Sequence, residues 1–247
     1  MNRGLVSPGV RSVPGFRRGL GLLVLLAALV AAASAGLVVG SNPLAPEQVW
    51  RGLLQPDGSE GSIIVWTLRV PRTVVGVLAG AAFGVAGALI QALTRNPLAD
   101  PGILGVNAGA GFAVTLGVGF FGLPSITGYV WFAFLGAAAA TVLVHLIGSA
   151  GGGRASPVTL VLAGVALGAV LNGFSTFLTL IDEETFRSVR NWGLGSIARV
   201  NPDDTLAVLP FLVAGVLVAL VISGPLNSIA LGDDLAASLG VLSLIHI

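Results

Sequence analysis

Cysteine is absent from the 247 residues, lysine is absent too, and only 9% of the chain is charged. Without cysteine there is no disulfide, no thiolate nucleophile and no zinc–thiolate or iron–sulfur site. Without lysine there is no GxxxxGK[ST] phosphate loop and no Schiff-base chemistry. If ATP drives this protein, another chain must hydrolyse it. The two histidines, His145 and His246, stand far apart in the sequence, which argues against a histidine metal site. Soluble domains carry about 25% charged residues, so this chain cannot cover a globular surface in water. Disorder is excluded from the opposite side, because it requires low hydrophobicity and high charge. A net charge of +1, from 12 Arg against 11 acids, provides no basic patch, and nucleic acid is not an expected partner.

What the chain has instead is apolar length. Residues are 55% hydrophobic and the mean hydropathy is +0.96. A spanning helix needs about 20 mostly apolar residues, and six stretches qualify: Leu20–Val39, Thr73–Leu93, Ile103–Gly122, Tyr129–Gly148, Val158–Ile181 and Thr205–Ser223. Two-residue alternation is missing, which argues against a membrane β-barrel. The expected fold class is all-α, a polytopic helical bundle in the lipid bilayer. The first stretch has a rival reading, since Arg17-Arg18, an apolar run and Ala33-Ser34-Ala35 resemble a cleaved secretory signal. The run continues to Val39 and reaches spanning length, which favours a retained helix.

Charge sets the expected orientation. Arg3, Arg11, Arg17 and Arg18 precede the first span with no acid among them, placing residues 1–18 in the cytoplasm as a tail. Alternation then leaves Asn42–Arg72 and Asp182–Asp204 outside, and Thr94–Gly102, Ser149–Pro157 and Gly224 onward inside. Trp50, Trp66, Tyr129, Trp131 and Trp192 fall on the outer side, where aromatic rings settle at interfaces. Pro46–Leu54 reads as a short amphipathic helix on the membrane surface, and Thr185–Ser196 has helical spacing of Phe186, Val189 and Trp192. A plain solvated connection is the alternative for each. Small residues stand four apart at Gly76, Gly80 and Gly84, at Gly105 and Gly109 with Ala113 and Gly117, and at Gly164, Gly168 and Asn172. Such ridges let helix backbones approach closely.

Several blocks carry more than helix packing. They are Arg69-Val70-Pro71-Arg72-Thr73, then Gln91-Ala92-Leu93-Thr94-Arg95-Asn96-Pro97-Leu98-Ala99-Asp100-Pro101, then Leu104–Ala110. Leu162–Leu167, Trp192–Ser196 and Ala230–Val241 follow in order. Together, over about residues 45–241, they resemble the FecCD family of ABC-importer permeases, which carry iron–siderophore complexes, haem and cobalamin. The resemblance implies a ten-helix subunit paired with a second permease subunit, in a homo- or heterodimer. It also implies cytoplasmic ABC ATPase subunits below, an extracytoplasmic substrate-binding protein above, and residence in the bacterial inner membrane. It further implies that residues 19–241 form a partial permease domain. Leu242–Ile247 depart from the family pattern, which is expected of a truncated or misread gene end.

Residue roles follow from the same resemblance. Arg69 and Arg72 stand three apart at the outer mouth of the second span, where family members dock acidic residues of the binding protein. Paired guanidinium groups suit bidentate carboxylate capture, and interfacial snorkelling is the alternative. Asn96 and Leu98 match the family's inner gate, although Pro97 would break the helix there in any case. Asn172, Ser175 and Thr176, with Thr179, give the fifth span a polar face that can line a pathway or bond a neighbouring helix. Leu231, Gly232, Asp233, Asp234, Ala236, Leu239 and Gly240 match the helix that couples the permease to its ATPase. Asp233 and Asp234 suit the first turn of such a helix.

The expected function is therefore that of a transport subunit without covalent chemistry or cofactor. Its cargo is expected to be a ferric siderophore, that branch being the family's commonest, with haem or cobalamin as the alternative. A self-contained membrane enzyme or sensor would need ionisable groups facing the bundle interior. Only His145 lies inside a span, with no acidic or thiol partner there.

Overall fold

A computed structural model describes residues 15–123, 125–150, 156–181, 187, 189, 193, 195–198 and 200–230. Every regular element among them is helical. The chain divides into two units, residues 1–73 and 74–247.

The first unit begins with α1 (Gly15–Val38), followed by α2 (Pro46–Leu54) and α3 (Glu60–Ile64). Segment Pro46–Leu54, expected as a surface helix or a solvated connection, is helical over those residues. Pro46 suits its first turn because the missing N–H would have no intrahelical partner there. The Gln48 side chain accepts from the Ala45 N–H at 2.9 Å, which helps to close the N-terminus. Val49 and Gly52 face α3, where a Cβ on Gly52 would lie 3.1 Å from Ser62 Cα. Only a glycine allows that approach without displacement of the α3 backbone. The Trp66 indole donates to the Gly52 carbonyl at 2.9 Å and ties the two segments together. Ser59 caps α3 by accepting from the Ser62 N–H, and Asp57 accepts from the Ser59 N–H. Hydrogen bonds from Ser59 hold the exposed Asp57 carboxyl below its ordinary pKa.

Helix α3 runs without a break through a π-helical turn (Val65–Arg69) into α4 (Val70–Thr94). The second expected span thus begins earlier than Thr73, inside a continuous helical stretch of 35 residues from Glu60 to Thr94.

In the second unit, α4 leads through a 3₁₀ turn (Pro101–Leu104) into α5 (Val106–Phe121), α6 (Ile126–Ser149), α7 (Pro157–Ile181) and α8 (Pro202–Ala230). Among the described residues of both units, five helical stretches are long and apolar enough to cross a membrane. The third expected span, Ile103–Gly122, is corrected: α5 has 16 residues and starts at Val106. At about 1.5 Å per residue it covers about 24 Å, less than a bilayer core of about 30 Å. Gly105 causes the break, because its φ of 77° lies in the left-handed region and separates the 3₁₀ turn from α5.

Helices α5, α6 and α7 pack on one another, while α8 touches α6. The buried positions are mostly small or β-branched: Gly109, Val114, Thr115, Gly117, Ala140, Val144 and Ala163. Lipid tails are as apolar as leucine, so close packing must hold such helices together. Gly109 of α5 and Gly136 of α6 meet so closely that a Cβ on either would strike the other's carbonyl oxygen. Gly164 of α7 likewise lies against the Ile103 carbonyl and Leu104 Cα. The ridges on α5 and α7 are thus used within the chain. The α4 ridge is used only at one end: a Cβ on Gly76 would lie 3.6 Å from the Ile197 side chain, whereas one on Gly80 or Gly84 would meet nothing within 4 Å among the described residues. Aromatic rings join α8 to α6. Trp131 stands edge-on to Phe211 at 5.2 Å, and Phe134 lies 5.0 Å from the same ring.

Candidate functional site

The Arg-x-Pro-Arg motif sits where the π-turn meets α4. Pro71 has no N–H to donate and its ring would crowd the Thr67 carbonyl in a regular helix. The π-turn immediately before it widens the helix, with the Val70 N–H reaching back five residues to the Val65 carbonyl. Such single π-turns inside α-helices often mark functional positions.

Here the π-turn positions two arginines very differently. Arg69 is only 3% exposed. Its Nη1 donates to the Leu37 and Val38 carbonyls at 2.6 and 2.7 Å, and its Nη2 donates to the Asn42 carbonyl at 2.6 Å. Gly40 lies over the same guanidinium, where a Cβ would be 3.4 Å from Nε. These carbonyls close the C-terminus of α1, where four C=O groups lack intrahelical partners and a cation is favoured. Hydrogen bonds from a charged donor are worth about 1.5–3 kcal/mol each. Arg72, one turn on, is half-buried. Its Nη2 donates to the Val39 carbonyl at 3.1 Å and, more weakly, to the Gly36 carbonyl at 3.3 Å. Among the described residues its Nη1 and Nε make no hydrogen bond. Within the chain the two arginines thus differ: Arg69 is enclosed, and Arg72 keeps Nη1 and Nε without a hydrogen bond among the described residues. The sequence showed the motif but carried no signal that the first arginine turns inward.

The second candidate region is the turn after α4. Arg95 adopts a φ of 51°, rare for a residue with a Cβ, and the Asn96 N–H bonds the Gln91 carbonyl at 3.2 Å. The Asn96 side chain accepts from the Leu98 N–H at 2.9 Å. Four residues later, Asp100 accepts from the Gly102 N–H at 2.6 Å. Asn96-Pro97-Leu98 and Asp100-Pro101-Gly102 are thus two Asx turns in succession, each with proline following the accepting side chain. Asp100 was not among the expected site residues, although the repeated Asx-Pro spacing was there to be read. Ala99 is buried between the turns, and Leu98 stands out at 87% exposure. Asn96 is committed to holding the turn, and Leu98 is the side chain it presents. Asn96→Ala is expected to speed hydrogen exchange at the Leu98 amide about tenfold, equivalent to about 1.4 kcal/mol. Asn96→Asp should keep exchange slow; unchanged exchange in the alanine variant would assign the turn to Pro97 alone.

On α7, Thr176 donates back to the Asn172 carbonyl at 2.9 Å, and Thr179 to the Thr176 carbonyl at 2.8 Å. The Ser175 hydroxyl is buried without a hydrogen-bond partner among the described residues. Asn172 is exposed. Gly164, level with Leu104, lies eight residues before Asn172, about 12 Å along the helix. The turn after α4 and the polar face of α7 therefore occupy different levels. The expected coupling residues, Leu231, Gly232, Asp233, Asp234, Ala236, Leu239 and Gly240, lie outside the described residues, as does most of Thr185–Ser196.

The profile of the FecCD transport family matches residues 24–244. The chain is 45% identical over 224 residues to the ferric enterobactin transport system permease protein FepD of Escherichia coli K12, covering 90% of this chain and 67% of that one. It is 40% identical over 204 residues to the Fe(3+)-citrate import system permease protein YfmD of Bacillus subtilis 168, covering 83% of this chain and 60% of that one. A solved structure described as an inward-facing conformation of a metal-chelate type ABC transporter superposes with a TM-score of 0.73 at 27% identity, covering 91% of this chain and 68% of that one. The chain spans about two thirds of the length of such relatives, or somewhat less. With the family profile matched across nearly its whole length and the Arg-x-Pro-Arg and Asn-Pro-Leu-Ala-Asp-Pro turns in place, the chain belongs to the FecCD transport family.

Proposed function

We infer that the chain is a membrane-spanning permease subunit of a bacterial binding-protein-dependent ABC importer, and that it moves a ferric siderophore or related iron chelate into the cytoplasm. The observation that carries this reading is the family match over residues 24–244, supported by 45% identity to a ferric enterobactin permease. The subunit performs no bond-making chemistry. Separate ATPase chains bind and hydrolyse ATP, and a second permease subunit completes the pathway. Nucleotide-driven contacts shift the pair between inward- and outward-facing states by binding the two states unequally.

In this arrangement the N-terminus lies in the cytoplasm and the Arg72 end of α4 faces the binding protein. The Asn96–Leu98 turn lies at the inner gate, where Leu98 supplies the apolar plug. Asn172, Ser175 and Thr176 line the pathway at a separate level, and Leu231–Gly240 couple to the ATPase. The topology can be checked with single cysteines, since the native chain has none. Ser196→Cys should react with an impermeant thiol reagent added to intact spheroplasts, and Ala150→Cys should react only after lysis. The opposite pattern would invert the orientation. Reconstitution with its ATPase, binding protein and second permease tests the cargo: labelled ferric siderophore should accumulate in an ATP-dependent manner. Accumulation of haem or cobalamin in its place would move the subunit to another branch of the family.

A further inference from the structure

We propose that Gly164 of α7 is a positioning residue for the inner gate: it seats the backbone of the turn after α4, and that seat sets where the Leu98 side chain stands. The gating role of Leu98 rests on the importer reading above; the seat itself does not.

The turn is built as a stiff arm. The Leu98 N–H donates to the Asn96 side chain at 2.9 Å, and the Ala99 N–H to the Asn96 carbonyl at 3.1 Å. The Gly102 N–H donates to the Asp100 side chain at 2.6 Å. The Ile103 N–H then reaches the Asp100 carbonyl at 3.3 Å, and the Gly105 N–H the Gly102 carbonyl at 3.2 Å. Pro97 and Pro101 each fix a φ within this series. A segment bonded at almost every step passes a displacement along its length, because few of its dihedrals are free to absorb one. Leu98 stands at one end of the arm, 87% exposed. The Ile103–Gly105 backbone forms the other end, and that end is packed.

The packed end meets α7 backbone to backbone. A Cβ on Gly164 would strike the Ile103 carbonyl oxygen and lie 3.0 Å from Leu104 Cα. From the opposite side, a Cβ on Gly105 would lie 3.5 Å from the Gly164 carbonyl oxygen and 3.6 Å from Cγ2 of Val144. Gly164, Gly105 and Val144 are all buried. A side chain can rotate out of such a contact, whereas a carbonyl within a bonded turn cannot. One methyl group on Gly164 therefore displaces the turn as a unit, and the arm carries that shift to Leu98. Gly168, one turn further along α7, serves as the contrast. Its Cβ would lie 3.7 Å from the Ala108 Cβ, an ordinary packing contact.

The test uses the importer assembled in proteoliposomes with its ATPase, binding protein and second permease, supplied with labelled ferric siderophore. Gly164→Ala should retain ATP hydrolysis stimulated by the binding protein, yet move about tenfold less chelate per ATP, a ratio equivalent to about 1.4 kcal/mol. A subunit that only folds poorly would lose both activities in step. Leu98→Ala should lower the same ratio, and Gly168→Ala should leave it near the native value. Hydrogen exchange on the purified chain gives a readout independent of transport. The Ile103 and Gly105 amides should exchange about tenfold faster in Gly164→Ala and at the native rate in Gly168→Ala. Native exchange in Gly164→Ala would overturn the seat, whatever happens to transport. An equal loss in Gly168→Ala would overturn it as well, since general ridge packing would then account for the effect. If exchange quickens in Gly164→Ala but Leu98→Ala still moves the native amount of chelate per ATP, the gate reading fails and the seat stands.

Discussion

Arg72→Glu is expected to reduce chelate uptake by about 30-fold or more while leaving the chain inserted in the membrane. Arg72 is half-buried at the end of α1, and its Nη1 and Nε hold no partner among the described residues, so a carboxylate partner can engage them without breaking the fold. Reversing the charge replaces attraction by repulsion, and disrupting an interfacial charge pair costs about 2–5 kcal/mol. Since about 1.4 kcal/mol is tenfold, docking weakens by roughly 30-fold to several thousand-fold. The measurement is uptake of labelled ferric siderophore beside pull-down of the binding protein at moderate and high salt. A complementary Glu→Arg change on the binding protein should recover part of the uptake. Normal docking by the Arg72→Glu chain would reduce this arginine to an interfacial anchor. Arg69→Glu differs in kind: it sets a carboxylate among three carbonyl oxygens, so its loss should appear first as misplacement of α1.

The other large effect is expected at the closest helix crossing. Gly109→Val would drive a Cβ into the Gly136 carbonyl and the Ala140 methyl, and neither can rotate away because one is backbone and the other is a Cβ on a packed helix. Overpacking of a filled interior costs about 1–3 kcal/mol, occasionally more, and here helices α5 and α6 must separate as whole bodies. Gly80→Val, on α4, meets nothing within 4 Å among the described residues and should change stability of the isolated chain by less than about 0.5 kcal/mol. Thermal unfolding of the two purified variants in detergent separates the cases. Equal midpoints would mean that the α5–α6 crossing contributes little to holding the bundle.

Much of this architecture could be read before any coordinates. Apolar runs of spanning length identify themselves, because a helix in lipid must satisfy its backbone internally and hide few charges. The absence of Cys and Lys excluded whole chemistries outright. Pro97 and Pro101 announced a broken helix after α4, since proline cannot continue the hydrogen-bond ladder. The family motifs are local strings, so they too were legible.

Other features depended on what lies across a contact. Four-residue glycine spacing is the same on α4, α5 and α7, yet Gly109 and Gly164 meet opposing backbone while Gly80 and Gly84 meet nothing within 4 Å among the described residues. Spacing defines a face, whereas packing needs the opposing backbone. The start of α5 turned on the left-handed φ of Gly105, a conformation that many glycines can adopt and few do. Arg69 and Arg72 look equivalent three residues apart, and they diverge because a π-turn directs one guanidinium onto carbonyls some 30 positions away in sequence. Composition thus determined that this is a helical membrane chain, and its motifs carried the resemblance to the FecCD transport family. Which arginine is enclosed, and which ridge is filled, was decided by long-range contacts, because hydrogen-bond partners and steric neighbours distant in sequence leave no periodic trace in it.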